Sequence, residues 1–373
     1  MNIISLVSYP FLPARSGGQK GIALFYKYFS RYHSVTCVTT QKNQPSFADG
    51  YEVQNILSDS PLRYINPFIF FRIRKLILEK KATHLILEHP YYGWLGILLK
   101  KFSAVQLVVH SHNIESKRWK SLGKWWWRIL WNYEKLTHRQ ADYNFFIQDA
   151  DRMYAISAFG LHEKKCMTVS FGTEISSPPS REDKLAARSV LNTLLQIQPN
   201  AAIFLFNGAF GYGPNRSALG YILEKINPLL QNKGLLYVLL IAGIDIPEEV
   251  INTSYPSVRI LGFVENLDLY LTGCDVFLNP VVSGGGIKTK LVEALAYDLN
   301  AVSSTNGAVG IDPRLCNHKL MICQDKDWNS FTDAVEMAVN IKNSMPGEFY
   351  EKFYWANITK RAADFILQLA VGS

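Results

Sequence analysis

The chain has 373 residues, 48% hydrophobic and 19% charged, with 39 lysines and arginines against 31 acids and a formal charge of +8. These values exclude a disordered chain, allow two domains with separate cores, and favour anionic partners: nucleotide-linked substrates, an anionic membrane surface or nucleic acid. No apolar run reaches the roughly 18 residues needed to span a bilayer; the best, Tyr64 to Leu78, is broken by Pro67, Arg72 and Arg74.

Five cysteines, Cys37, Cys166, Cys274, Cys316 and Cys323, are scattered without Cys-x-x-Cys spacing, so reduced thiols in a cytoplasmic protein are expected. Met1 to Ser8 lacks a basic n-region and reads as a first strand.

The first half alternates short, apolar, often β-branched segments (Ile3–Ser8, Val35–Thr40, Leu85–Leu87, Val105–His110, Tyr143–Ile147) with helical spacing, as at Gly21–Tyr32 and Phe68–Lys81. Such alternation implies right-handed crossovers and a parallel, doubly wound sheet, whose ligands bind beyond the carboxyl ends of the strands. After the first strand, Gly17 and Gly18 precede a helix, where bare backbone can approach a ligand; a plain tight turn reads the same way. After Val105–His110 come Ser111, His112, Asn113 and Glu115, a polar cluster at one strand end. Metal binding by His110 and His112 would need a further ligand that the sequence does not nominate, and a metal-free site is expected.

From Ser116 to Arg139, Trp119, Trp125, Trp126, Trp127 and Trp131 interleave with Lys117, Arg118, Lys120, Lys124 and Arg128. Indole and cation mixed on a helix suit an anionic membrane surface, and equally a set of tryptophans packed under the sheet with solvated cations. No RNA- or DNA-binding module accompanies the stripe, so nucleic acid is not expected.

Ser176 to Ser180, Ser-Ser-Pro-Pro-Ser, is the linker candidate, giving domains 1–176 and 177–348 and a terminal helical stretch, 349–373. The alternation then restarts with Ala202–Phe206, Leu235–Ala242, Val258–Leu261, Val276–Leu278, Ala301–Ser304 and Leu320–Cys323. Asn207 and Gly208 lead to Pro214 near a helix start, and Gly262 to Val264 follow another strand.

The densest signal lies after Val276–Leu278. Gly284, Gly285 and Gly286 run into Ile287-Lys288-Thr289-Lys290, and a helical pattern follows, with Ile287, Leu291, Ala294 and Leu295 on one side. Lys288 and Lys290 fall in the expected first turn, where the helix dipole disfavours a cation. Each glycine adds roughly 0.5–1 kcal/mol of backbone entropy cost. A bound anion offsets both, and free N–H groups, dipole and two ammoniums together suit a phosphate or diphosphate. A flexible loop beside a solvated basic helix face is the plain alternative. The stretch is neither a Walker loop nor a dinucleotide fingerprint. Glu293, a turn beyond Lys290, can accept hydrogen bonds from ribose hydroxyls.

Together these residues resemble the GT-B glycosyltransferases, in particular family 4. The resemblance runs through Gly17-Gly18, His112-Asn113-x-Glu115, Tyr133-Glu134, Asn207-Gly208 with Pro214-Asn215, Leu261 to Val264, Gly284 to Ala296, and Phe353-Tyr354-Trp355. It implies an α/β fold of GT-B architecture, two Rossmann-like doubly wound parallel-sheet domains facing across a cleft, with the terminal helical stretch 349–373 packing back on the first domain. It implies a retaining, metal-independent glycosyltransferase that uses a UDP-, GDP- or dTDP-sugar, with no separate cofactor. Lys288 and Lys290 would hold the diphosphate, Glu293 the ribose, and backbone from Gly262 to Val264 the base. His112 would approach the donor sugar, and Gly17 and Gly18 would leave room for phosphate or acceptor.

Family members often carry two glutamates eight positions apart, and the earlier position here is Gly285. Backbone N–H groups of the glycine run would replace that contact. The acceptor is expected to be a glycan or lipid-linked glycan in cell-surface polysaccharide synthesis, with Trp119 to Trp131 holding the protein on the inner face of the cytoplasmic membrane. A GT-B-like epimerase or phosphorylase, or a silent sugar-nucleotide-binding subunit, are the competing functions.

Overall fold

The structure, a computed structural model, describes residues 1–370, with side chains as far as Leu367. Two compact units divide the chain: Met1–Phe171 together with the stretch from Trp355 onward, and Gly172–Tyr354.

The first unit holds a seven-stranded parallel sheet made of β1 (Asn2–Val7), β2 (Ser34–Thr40), β3 (Glu52–Leu57), β4 (His84–Glu88), β5 (Gln106–Ser111), β6 (Tyr143–Phe146) and β7 (Cys166–Thr168), in the order β3-β2-β1-β4-β5-β6-β7. Central strands with helices on both faces must be apolar almost throughout, and β1 after Asn2 and all of β4 are buried. Leu85, Leu87, Leu107 and Val109 pack on Ile73, Leu95 and Leu99 of two crossover helices. Elsewhere in this unit Phe365, from the helix Trp355–Ala370, packs on Tyr143 and Phe145.

The second unit holds β8 (Ala202–Ala209), β9 (Tyr237–Ile244), β10 (Val258–Gly262), β11 (Val276–Asn279), β12 (Asn300–Ser304) and β13 (Leu320–Cys323), all parallel, in the order β10-β9-β8-β11-β12-β13. Phe204, Phe206, Ile241 and Leu278 form its core with Ile222, Ile226, Phe331 and Val335. Full burial of such side chains contributes about 1.5–3 kcal/mol each. The strand order reverses between β1 and β4 in one sheet and between β8 and β11 in the other, the two places where such sheets open a ligand crevice.

Four features differ from the sequence expectation. β3 and β7 were not anticipated, because one is a mixed polar edge strand and the other only three residues long. The tryptophan-rich stretch is two helices, Glu115–Ser121 and Trp127–Gln140, and not one continuous helix. The terminal amphipathic pattern is also two helices, Gly347–Phe353 and Trp355–Ala370, because Tyr354 adopts an extended conformation (φ −73°, ψ 127°). The helix after the glycine run spans Thr289–Ala296, so Lys288 is its extended N-cap and Ile287 precedes it as a buried loop residue. Only Lys290 of the two lysines lies within its first turn.

Candidate functional site

In the second unit, β11 ends at Asn279, whose side-chain amide donates to Ser303 Oγ (2.9 Å) and to the Gly307 carbonyl (3.0 Å). Ser304 Oγ donates to the Val281 carbonyl at 2.6 Å. The ends of β11 and β12 are thereby tied, and the glycine run departs from a fixed base. Gly284 (φ +89°) and Gly286 (φ +73°) occupy the left-handed region, which any side chain would strain. Their carbonyls converge on one ammonium: Lys288 Nζ donates to Gly284 O (3.2 Å) and Gly286 O (2.8 Å), with Gly285 O at 3.5 Å.

Lys290 reaches the neighbouring strand. Its Nζ donates to Asn207 O (3.1 Å) and Asn215 Oδ1 (2.8 Å), and lies 4.2 Å from the centre of the Phe206 ring. Asn207 and Gly208 close β8, and a Cβ on Gly208 would stand 2.9 Å from the Asn215 amide and 3.5 Å from Lys290 Nζ. Among the described residues neither lysine is ion-paired with a carboxylate. Burial pushes the Lys290 ammonium down to about 7, with Lys288 adding to the effect, and burial pushes Lys288 down to about 8. Both lysine side chains are thus desolvated and held by neutral oxygens, an arrangement in which an anion would favour their charged forms.

Glu293 lies one turn along the same helix and is half-buried. Gly262 ends the edge strand β10 with φ +68°, and Val264 follows, half-buried, two strands out from β8. The structure therefore gathers Asn207, Gly208, Gly284, Gly285, Gly286, Lys288 and Lys290, and sets Gly262 and Val264 at the sheet edge.

In the first unit, Gly17 and Gly18 open the helix Gly17–Phe29, capped by a Ser16–Gln19 capping box. A Cβ on Gly18 would meet nothing nearer than Tyr9 Oη at 4.0 Å, so the protein does not itself fill that space. His112 lies just past β5. Glu88, which ends β4, stands in register with His110 and is fully buried.

The sequence reading missed Glu88; the signal available was the polar pair Glu88-His89 closing an apolar strand. Its Oε1 accepts from the Tyr26 hydroxyl (2.5 Å) and His110 Nδ1 (3.1 Å), and its Oε2 accepts from His112 Nε2 (2.6 Å). Glu88, His110 and His112 offer ligand atoms within 4.8 Å of one another, and the carboxylate also accepts from the Tyr26 hydroxyl.

His89, next along, has φ +70°, a strained conformation for a side-chain-bearing residue. Its Nε2 contacts Tyr9 Oη (3.2 Å), and Nδ1 lies 3.3 Å from Glu115. Burial acts to raise Glu115, but His89, the Tyr91 hydroxyl and Arg118 outweigh it and hold the carboxyl at about 2.

Two family models match the sequence: "Glycosyltransferase Family 4" over residues 16–176 and "Glycosyl transferases group 1" over residues 201–340. The chain is a GT-B glycosyltransferase resembling family 4.

Solved structures share the glycosyltransferase's fold along its whole length. Anabaena Alr3699/HepE, crystallised in complex with UDP, is 15% identical with a TM-score of 0.71 over 99% of this chain and 100% of its own. Sucrose-phosphate synthase from Thermosynechococcus elongatus is 14% identical, with a TM-score of 0.71 over 100% of both chains. The lipopolysaccharide outer core galactosyltransferase WaaB is 14% identical, with a TM-score of 0.67 over 99% of both. No curated protein matches the sequence. The tryptophan stripe of the glycosyltransferase borders a cavity of about 580 Å³ lined by Lys117, Lys120, Trp127, Arg128, Trp131 and Tyr154. Lys117 sits 3.2 Å from the Tyr154 ring centre and Lys120 4.7 Å from that of Trp127. Only Trp125 of the five tryptophans is largely exposed.

Proposed function

We propose that the protein is a retaining glycosyltransferase that moves a sugar from a nucleoside-diphosphate sugar to a glycan or lipid-linked glycan acceptor in cell-surface polysaccharide or glycoconjugate synthesis. The observation that carries this is the pair Lys288 and Lys290, desolvated, bound only by neutral oxygens, at a glycine loop on the strand-order reversal. The diphosphate of the donor replaces those oxygens as partner, and Glu293 takes the ribose.

As the glycosidic bond breaks, negative charge grows on the departing diphosphate, and the two ammoniums stabilise it without a metal ion. His112 meets the sugar, and Gly17 and Gly18 leave room for phosphate or acceptor. In a front-face reaction the leaving phosphate accepts the acceptor's proton, which keeps the anomeric configuration without a carboxylate nucleophile. Backbone at Gly285 stands in for the glutamate that relatives place there.

An anionic membrane is the proposed partner surface, and the first unit supports it beyond the tryptophans. Leu62, Ile65, Phe68 and Phe71, three residues apart, are 67, 73, 72 and 66% exposed, where a soluble surface tolerates few such side chains. The helix Ile69–Lys80 that begins there carries Arg72, Arg74, Lys75 and Lys80 against one acid, Glu79. Tyr64 packs on Tyr91 (5.7 Å), which accepts from Trp119 Nε1 (3.5 Å), so this patch adjoins the tryptophan helices.

The test is donor hydrolysis across a panel of UDP-, GDP- and dTDP-sugars. Slow hydrolysis of one donor supports the transferase. Release of an altered sugar nucleotide identifies an epimerase, phosphate-dependent turnover a phosphorylase, and thermal stabilisation without turnover a silent subunit. In calorimetry Lys290→Ala weakens UDP binding while Lys124→Ala leaves it unchanged; equal affinities in both variants remove the phosphate assignment.

A further inference from the structure

The Glu88 network fixes more than the position of His112. Glu88 has no lysine or arginine partner among the described residues; its oxygens are satisfied only by Tyr26, His110 and His112. Burial alone would raise its carboxyl, yet the two imidazoles outweigh burial and hold it below the ordinary carboxylate range. Burial in turn pushes the His112 imidazolium down to about 4, and neighbouring His89 lowers it further. Near neutral pH His112 is therefore a neutral imidazole whose Nε2–H is donated to the carboxylate at 2.6 Å.

An acceptor-only carboxylate admits one tautomer at each ring. The 2.6 Å contact requires the proton on His112 Nε2, which leaves Nδ1 with a lone pair. On His110 it is Nδ1 that meets Glu88, at 3.1 Å, while Nε2 is buried without a partner. Ser5 Oγ lies 2.6 Å from Tyr26 Oη, and Tyr26 donates onward to Glu88, so the chain of donors leading to the carboxylate is complete.

We propose that Glu88 is a positioning residue that locks His112 in its Nε2–H tautomer, so that His112 presents Nδ1 as a hydrogen-bond acceptor and selects donor sugars that offer it a hydroxyl. This rests on the reading that His112 meets the donor sugar. A ligand group that can only accept, such as a phosphate oxygen or a carbonyl, finds a lone pair opposed to it, whereas a sugar O–H finds its partner. Glu88 also supplies the counter-charge for positive charge that builds near the ring as the sugar becomes oxocarbenium-like. A glutamine at position 88 brings an N–H₂ of its own, which can turn toward His112 and reverse the tautomer without changing side-chain volume.

The experiment combines long-range proton–nitrogen NMR on histidine-labelled full-length protein with kinetics on the hydrolysed UDP-sugar. Wild type should show His112 protonated at Nε2 and bare at Nδ1 at pH 7.5. Glu88→Gln should lose that pattern and lower kcat roughly 10- to 100-fold with little change in KM. UDP affinity, read in the other unit, should be unchanged and so reports correct folding. Glu88→Asp keeps an acceptor-only partner and should keep the tautomer, which covers the case in which Glu88→Gln does not fold. A donor lacking the hydroxyl that His112 binds should lose rate in wild type and lose no more in His112→Ala. A wild-type ring protonated at Nδ1, or a Glu88→Gln protein with the wild-type tautomer and rate, overturns the proposal. Unchanged turnover in His112→Ala instead removes the role of His112 in the proposed function, and leaves the tautomer assignment to the NMR result alone.

Discussion

Binding of UDP should take up protons, and the amount follows from the two lysines. With Lys290 at about 7 and Lys288 at about 8, a solution at pH 7.5 finds the first about one-quarter and the second about three-quarters protonated. A diphosphate placed against both ammoniums favours their charged forms, so saturation should draw in about one proton per nucleotide. The working pH matters: near pH 6 the nucleotide's own terminal phosphate titrates and obscures the signal.

The assay is calorimetry of UDP binding in buffers of differing ionisation enthalpy, where the slope of apparent enthalpy gives the protons exchanged. Lys290→Ala removes the larger share and should leave at most about a quarter of a proton. Charge-assisted hydrogen bonds contribute about 1.5–3 kcal/mol each, so the same substitution should weaken UDP by roughly 10- to 150-fold. Zero uptake by wild type, or equal uptake by wild type and Lys290→Ala, would show that the diphosphate does not sit on these lysines.

Replacing Lys290 with Met should stabilise the nucleotide-free protein at pH 7. Its ammonium is disfavoured in the fold and free in the unfolded chain, so the penalty is full below pH 7 and fades as pH rises toward 10.5. Urea unfolding at pH 7 and 10 should show wild type gaining stability with pH more steeply than Lys290→Met. Gly208→Ala should reduce UDP affinity by crowding Asn215 and Lys290, with strand β8 otherwise intact by circular dichroism. Glu134→Gln should lower stability by about 1–3 kcal/mol in thermal melts, because Glu134 accepts from the backbone N–H groups of Glu115 (2.8 Å) and Ser116 (3.0 Å) and an amide cannot serve both. An unchanged melt would mean that this carboxylate does not hold the helix Glu115–Ser121. Phe68→Ser with Phe71→Ser should cut flotation with phosphatidylglycerol vesicles at low salt while sparing UDP-sugar hydrolysis; undiminished flotation removes this patch from the membrane surface.

Much of this protein is legible in one dimension. Strands β8, β9, β11 and β12 of the second sheet announce themselves as apolar runs, since a strand buried on both faces has no polar side to disguise it, and its edge strands β10 and β13 keep enough apolar residues to be read although part-exposed. The glycine run and the two lysines are likewise legible, because they are consecutive in the chain and stand between an apolar strand and a helix start. Edge strands β3 and β7 escaped notice for the converse reason: half-solvated or very short strands carry little apolar pattern. Nor does spacing reveal where a helix breaks when both halves stay amphipathic, as at Tyr354.

What only the tertiary structure decided is who stands beside whom. Glu88 and His112 lie 24 positions apart and meet because β4 and β5 pair in register, and Lys290 finds Asn207 and Asn215 only because β11 lies next to β8. The lowered proton affinity of both lysines and the tautomer of His112 depend on burial and on partners distant in the chain. Desolvation and hydrogen bonding are properties of a position in space, and a sequence specifies them only through the fold that it forms.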